Sequence, residues 1–280
     1  TEAPTAGSVI LAGILLKMGA YGFLRISFPM FPHAVKVLFI PLLILSVTAI
    51  IYGAYVTLMQ KDMKRLIAYS SVSHMGFVTL GLFTLNQTGV EGGLLQMINH
   101  GVITGALFLC IGMIYERTHT RMIEDYGGLS KTVPVYGVFF TIFTLAAIGL
   151  PGMNAFVGEF LIISGAFKAN MIIAVFSISG VILGATYMVW LYYRVVLNEI
   201  NSSSKSNLFD LDLREIATLV PLVFLVFLIG VQPGILLSYM HVSVEHLLEQ
   251  VHTSVPLESF NIYDSVNLIV EHVKELLWWV

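Results

Sequence analysis

VPVYGVFFTIFTLAAIGLPGMNAFVGEFLIISGAF, residues 133–167, decides the fold. Glu159 is its only charged residue, and the stretch is far longer than the about 20 apolar residues that cross a bilayer as one helix. At its centre stands Gly149-Leu150-Pro151-Gly152. Proline lacks a backbone donor and crowds the preceding turn, and glycine loosens the chain. The stretch therefore reads as two half-helices within one crossing. Backbone groups freed by such a break need partners inside a membrane, so the break implies neighbouring spans packed around it.

The rest of the chain has the same character. Of 280 residues, 57% are hydrophobic and 11% charged, with a mean hydropathy of +0.86. A soluble domain carries about 25% charged residues, so a solvated surface is missing. The apolar runs are apolar on every face, which excludes the period-two alternation of a transmembrane barrel. The expected fold class is an all-α polytopic membrane protein with about seven transmembrane helices, one of them broken. The other crossings are expected near residues 7–26, 35–59, 66–85, 92–115, 172–196 and 216–231, with Ser202-Ser203-Ser204 in the last loop. Alternate loops hold Lys61, Lys64, Arg65, Arg117, Arg121, Lys131, Arg194, Lys205 and Arg214. The opposite side holds Arg25, Lys36, Lys168 and Lys274. The positive-inside rule puts the first group on the cytoplasmic or matrix side. From Pro233 onward two helix-like stretches follow. In the second, Val266, Ile269, Val270, Val273 and Leu277 recur at helical spacing before Trp278-Trp279, which reads as an interfacial helix.

Ionisable residues stand where lipid should be. Lys17 lies mid-way along the first run, where a lysine costs roughly 3 kcal/mol, and the centre of a span is poorly placed for snorkelling. Glu159 lies in the second half of the broken block; the plain alternative is a carboxylate paired structurally at the break. Broken helices are where transporters place ion sites, because half-helix ends solvate charge. His74 and His100 fall in the third and fourth runs, near Gln96, Asn99 and several serines. A lone histidine is more often a satisfied core residue, but two in polar company suit a proton relay. Nothing supplies metal-ligand spacing around either. The charges of Lys61–Arg65 and Tyr115-Glu116-Arg117 read as loop pairing and helix-end anchoring.

Other classes find no support. There is no Rossmann or Walker signature and no cysteine cluster, and the basic residues are too dispersed for nucleic acid. Cys110, the single cysteine, reads as a small buried apolar side chain. The chain opens on Thr1-Glu2-Ala3-Pro4 without a charged leader, so Thr1 reads as an internal position of a longer ancestral sequence.

The strings Thr1-Glu2-Ala3-Pro4-Thr5-Ala6-Gly7-Ser8, Ile14-Leu15-Leu16-Lys17, Leu66-Ile67-Ala68-Tyr69-Ser70-Ser71-Val72-Ser73-His74 and the Gly158-Glu159 pair after Leu150-Pro151 occur together and in order. They resemble the family of subunit 4 of respiratory complex I (NADH–ubiquinone oxidoreductase chain 4, chain M in bacteria) from Thr1 to the region of Met240. Members of that family are antiporter-like, with fourteen core spans and two inverted five-helix repeats. The resemblance implies that residues 1–33 match span 8, the last helix of the first repeat. It assigns 34–200 to the second repeat, spans 9–13, and 201–232 to a linker and span 14. Residues 233–280 then form a tail with amphipathic helices, longer than the usual family ending.

On that template Lys17 matches the bridging lysine, His74 and His100 the central histidines, and Glu159 the terminal carboxylate. The resemblance implies proton pumping coupled to NADH:ubiquinone oxidoreduction, with protons loading Lys17 and passing through His74 and His100 to Glu159. It implies no cofactor in this chain: NADH, FMN, iron–sulfur clusters and ubiquinone belong to other parts of the complex. The implied partners are the other membrane-arm subunits, especially the antiporter-like subunits 2 and 5. A separate polypeptide would supply spans 1–7, so that this chain is the C-terminal part of a split subunit. Membrane lipids complete the set. The expected location is the mitochondrial inner membrane, with a bacterial plasma membrane as the alternative. A subunit of a multisubunit sodium/proton antiporter or a membrane-bound hydrogenase is the competing reading. A purely structural scaffold is disfavoured, because it would gain from apolar residues at the charged positions.

Overall fold

A computed structural model describes residues 3–199 and 208–254. Among these the chain is helical, with one isolated bridge between Asp62 and Met122. In chain order the helices are α1 (Thr5–Met30), α2 (Pro32–Val37), α3 (Phe39–Leu58), α4 (Met63–Phe83), α5 (Gln87–Thr118), α6 (Leu129–Thr132), α7 (Pro134–Ile148), α8 (Asn154–Ala169), α9 (Met171–Leu197), α10 (Leu213–Val231) and α11 (Gly234–Ser254). Six of them, α1, α3, α4, α5, α9 and α10, are long and apolar enough to cross a membrane, and α7 with α8 form the broken crossing. The protein is a polytopic α-helical membrane protein. The stretch from Val266 to Trp279 and the loop at Ser202–Ser204 lie outside the described residues.

Helix starts follow local chemistry. Asp62 caps α4 by accepting from the backbone N–H groups of Lys64 (2.7 Å) and Arg65 (3.1 Å). Asn86 accepts from Gly89 N–H at the start of α5, and Asn170 accepts from Ile172 and Ile173 at the start of α9. Asp212 and Glu215 form a capping box on α10. The break between α7 and α8 is built as its residues predict: Gly149 (φ +77°) and Gly152 (φ +91°) take left-handed conformations that a side chain would disfavour. The first crossing, expected to end near residue 26, runs on through Pro29. A widened π turn occupies Phe23–Ser27 just before the proline, and helix continues to Met30. A second π turn occupies Leu11–Leu15 of the same helix.

Burial orders the helices. Within their most apolar windows α4 is 67% and α5 72% buried, against 17% for α1 and 22% for α10, so α4 and α5 form the middle of the bundle. The exposed side chains of Ile14, Phe160, Ile182 and Phe224 give the outer faces an apolar surface suited to lipid. Against α5 lies α8, close because Gly92 lacks a side chain. A Cβ there would sit 2.7 Å from the backbone N of Ile162 and from Leu161 Cβ. At one end of the bundle the loops interlock: Met63 N–H donates to Arg121 O and Ile123 N–H to Lys61 O, both at 2.9 Å. Arg117 there holds Glu215 in a two-pronged contact (2.8 and 2.6 Å) and also donates to the carbonyls of Met113, Phe209 and Asp210. Of the basic residues expected on one side, Lys61, Arg117 and Arg121 thus share one end, while Lys205 lies outside the described residues. Past α10, helix α11 turns back and buries Val244, Leu248 and Val251 in the cluster that holds Leu24, Phe28, Phe83 and Val90.

Candidate functional site

The break and the two central helices bring the ionisable residues together. Glu159 sits on α8 in the second turn after the break, only 6% exposed. Gly149 closes over it, leaving 3.1 Å between a Cβ at that position and Glu159 Oε2. Gln96 of α5 donates to Glu159 Oε1 (3.1 Å), and His74 of α4 places Nδ1 3.3 Å from the same oxygen. On the other side of the site, Lys17 of α1 is 8% exposed. Its ammonium donates to the carbonyl of Ala12 at 2.5 Å, inside the π turn, and contacts His100 Nδ1 at 2.7 Å. The two histidine rings face each other across the middle with centroids 5.7 Å apart and a tilt of 53°.

All four residues expected from the sequence therefore lie in one buried line. Their order in space is Lys17, His100, His74, Glu159, which corrects the order expected through His74 and then His100. The reason is packing: α1 crosses α5, which carries His100, while α8 lies beside α5 and α4 and meets His74 first. Each histidine thus presents Nδ1 to an ionisable side chain, the lysine for His100 and the glutamate for His74.

Two hydroxyls, which nothing in the sequence marks, hold the other ring nitrogens. Thr104 Oγ1 lies 3.1 Å from His100 Nε2, and Tyr187 OH of α9 lies 3.2 Å from His74 Nε2. A small cavity of about 10 Å³ borders both rings, lined also by Ser70, Gln96 and Thr104, with room for about one water. Toward the break, Asn99 donates to the carbonyl of Asn154 at 2.7 Å. Asn99 Oδ1 and both side-chain polar atoms of Asn154 have no protein partner among the described residues. Buried groups of this kind are satisfied by water, so the line sits in a polar seam through an apolar bundle.

A chain of groups that each give and take a proton, spaced at hydrogen-bond distance or one water apart, can pass a proton along its length. It can also pass charge influence, since each protonation changes the field at its neighbour in a medium of low dielectric. Among the described residues no group of three His, Cys, Asp or Glu is placed to hold a metal ion.

Comparison with known proteins identifies the family. Residues 1–184 match the family described as NADH:quinone oxidoreductase/Mrp antiporter, transmembrane. The chain is 52% identical over 251 residues to NADH-quinone oxidoreductase subunit M of Rhodobacter capsulatus, covering 90% of this chain and 49% of that protein. It is 49% identical over 254 residues to NADH-ubiquinone oxidoreductase chain 4 of Chondrus crispus, covering 90% and 51%. Among solved structures, a chain of respiratory complex I from Thermus thermophilus with bound NADH superposes with a TM-score of 0.81 at 35% identity, over 85% of this chain and 50% of that one. The chain spans about half the length of these relatives. With two-thirds of its length matched and a buried line of ionisable residues running through that part, the chain belongs to the NADH:quinone oxidoreductase/Mrp antiporter transmembrane family.

Proposed function

We propose that the chain works as a proton-translocating part of a membrane subunit of respiratory complex I, within an assembly that couples NADH:ubiquinone oxidoreduction to proton pumping. The observation that carries this reading is the line from Lys17 through His100 and His74 to Glu159, with contacts of 2.7 and 3.3 Å at its two ends and, in the middle, two rings 5.7 Å apart that share a cavity for about one water. On this reading residues 1–33 serve as the bridging helix, 34–200 as the working repeat, and 201–232 as the linker and last crossing. The electron carriers NADH, FMN, iron–sulfur clusters and ubiquinone act elsewhere in the assembly. The proposed neighbours are antiporter-like subunits 2 and 5, and the proposed membrane is the mitochondrial inner membrane, with lipid on the outer faces of the bundle.

The cycle follows from charge. Lys17 takes a proton from the lysine side and holds it as ammonium against Ala12 O and His100. A change of charge upstream of Lys17 drives the proton onto His100 Nδ1, and His100 gives its Nε2 proton to Thr104 or the water beside it. His74 takes that proton and delivers one from Nδ1 to Glu159, where the break and half-helix end supply the route out. Each step leaves a neighbour whose affinity for the next proton has changed, which orders loading and release.

Glu159→Gln in the intact assembly keeps the shape and the hydrogen bond from Gln96 but removes the terminal acceptor. The expected result is normal assembly with loss of protons pumped through this subunit per NADH oxidised. Pumping at the unaltered ratio would sink the assignment. Transport that follows sodium rather than the NADH-driven proton gradient would favour the antiporter reading.

A further inference from the structure

Tyr187 stands in the middle of an apolar run, is fully buried, and comes from α9, a helix that contributes nothing else to the line. Its hydroxyl lies 3.2 Å from His74 Nε2 while His74 Nδ1 faces Glu159 at 3.3 Å. A carboxylate only accepts, so the neutral ring carries its proton on Nδ1, aimed at Glu159, and Nε2 is left to accept from the Tyr187 hydroxyl. Both nitrogens of His74 are then occupied. A proton waiting at His100 or in the cavity that borders both rings finds no free nitrogen on His74.

We propose that Tyr187 is a positioning residue that fixes the tautomer of His74 and gates transfer between the two histidines; this rests on the relay reading above. The step balances as follows. The Tyr187 O–H turns away from Nε2, the bridging water gives one proton to form Nε2–H and takes one from His100 as that N–H bond breaks, the Nδ1–H bond of His74 breaks, and its proton forms O–H on Glu159. His74 is left neutral with the proton on Nε2. Tyr187 cannot donate to that nitrogen until the ring loses the proton or flips, so the resting contact returns only after a reset. Without the phenol, both tautomers are open to the ring, and a proton can return from Glu159 to His100 by the same route. Thr104 has no such effect on His100: the Lys17 ammonium, which only donates, already makes Nδ1 of that ring the acceptor, so Nε2–H is left to donate to the Thr104 hydroxyl.

The test uses the intact assembly carrying Tyr187→Phe, with amount and integrity followed on native gels. The expected result is normal assembly, electron transfer that continues, protons pumped per NADH reduced severalfold, and a pH profile of pumping displaced from wild type. The preference of His74 for the Nδ1–H form should fall by about tenfold, the worth of one hydrogen bond. Tyr192→Phe removes a phenol hydroxyl from the same helix that instead meets Thr141 at 2.9 Å, and should leave the pumping ratio unchanged. In a His74→Gln background Tyr187→Phe should add nothing further. An equal loss in that background would mark a packing role and overturn the proposal. So would a wild-type ratio and pH profile in Tyr187→Phe alone. Should the Phe variant assemble poorly, Tyr187→Gln, whose amide can still donate, should pump better than Phe. A Gln variant that assembles but pumps no better than Phe also counts against it. Normal pumping in Glu159→Gln would remove the relay itself, whereas a dead Glu159→Gln beside an unaffected Tyr187→Phe removes only the gate.

Discussion

Replacing Gly92 by alanine probes how closely the site depends on the distance between α5 and α8. The added Cβ would meet the backbone N of Ile162 and the Cβ of Leu161 at 2.7 Å, and the carbonyl carbon of Leu161 at 3.0 Å. None of these is the far end of a flexible side chain, so the helices themselves must part. Restoring ordinary contact at about 3.4 Å requires α8 to retreat by roughly 0.7 Å, a kind of overpacking that costs about 1–3 kcal/mol. Gln96 lies one turn further along the same face of α5, and its bond to Glu159 Oε1 is 3.1 Å. The same displacement takes it to about 3.8 Å, past the range in which an amide holds a carboxylate. Gly92→Ala should therefore lower the thermal midpoint of the assembly and cut proton pumping, measured by fluorescence quenching in vesicles at matched NADH oxidation. Gly19→Ala is the control, because nothing lies within 4 Å of a Cβ there. Equal effects of the two substitutions, or wild-type pumping in Gly92→Ala, would refute the reasoning.

Other perturbations test separate parts of the structure. Arg117→Met leaves the buried Glu215 carboxylate unpaired and should cost about 3–5 kcal/mol in stability, seen as reduced assembly on native gels; Arg117→Met with Glu215→Met together should recover much of it. Asp62→Ala removes the acceptor for two backbone N–H groups and should destabilise the start of α4 by about 1 kcal/mol, measurable as faster amide exchange at Lys64 and Arg65. Tyr126, buried in the loop between α5 and α6, has its phenol pushed up to about 12 by burial. Its folded value lies above its unfolded value, so its contribution to stability is present below pH 10 and is lost as the pH rises toward 12. The melting temperature of wild type should accordingly fall more steeply over that window than that of Tyr126→Phe, and parallel curves would contradict the assignment.

Much of this was legible because membranes punish polarity. Lys17 and Glu159 stood out as charges in apolar runs, and Gly149 to Gly152 announced the break through backbone chemistry that only a few residue types carry. The order of the histidines was not legible. Position along the chain does not say which helix neighbours which, and His100 meets Lys17 only because α1 packs on α5. Thr104 and Tyr187 stayed hidden for another reason: a hydroxyl or phenol inside a span carries little penalty, so its presence signals nothing until a partner is seen. Arg117 fell between these cases. Loop pairing was the expectation, but its partner Glu215 lies far along the chain in α10.

The π turn at Leu11–Leu15 gives the lysine an anchor of its own. Ala12 O, five residues back, takes the ammonium at 2.5 Å, so the positive charge is fastened to α1 rather than to the histidine it serves. If α1 slides or rolls against α5, the charge rides with α1, and what opens is the 2.7 Å contact to His100. Hydrogen bonds weaken steeply over a few tenths of an ångström, so the two helices behave as the halves of an electrical contact. On the proposed relay, their separation would decide whether the circuit is made, and the exposed apolar face of α1 is where a change in its surroundings would act.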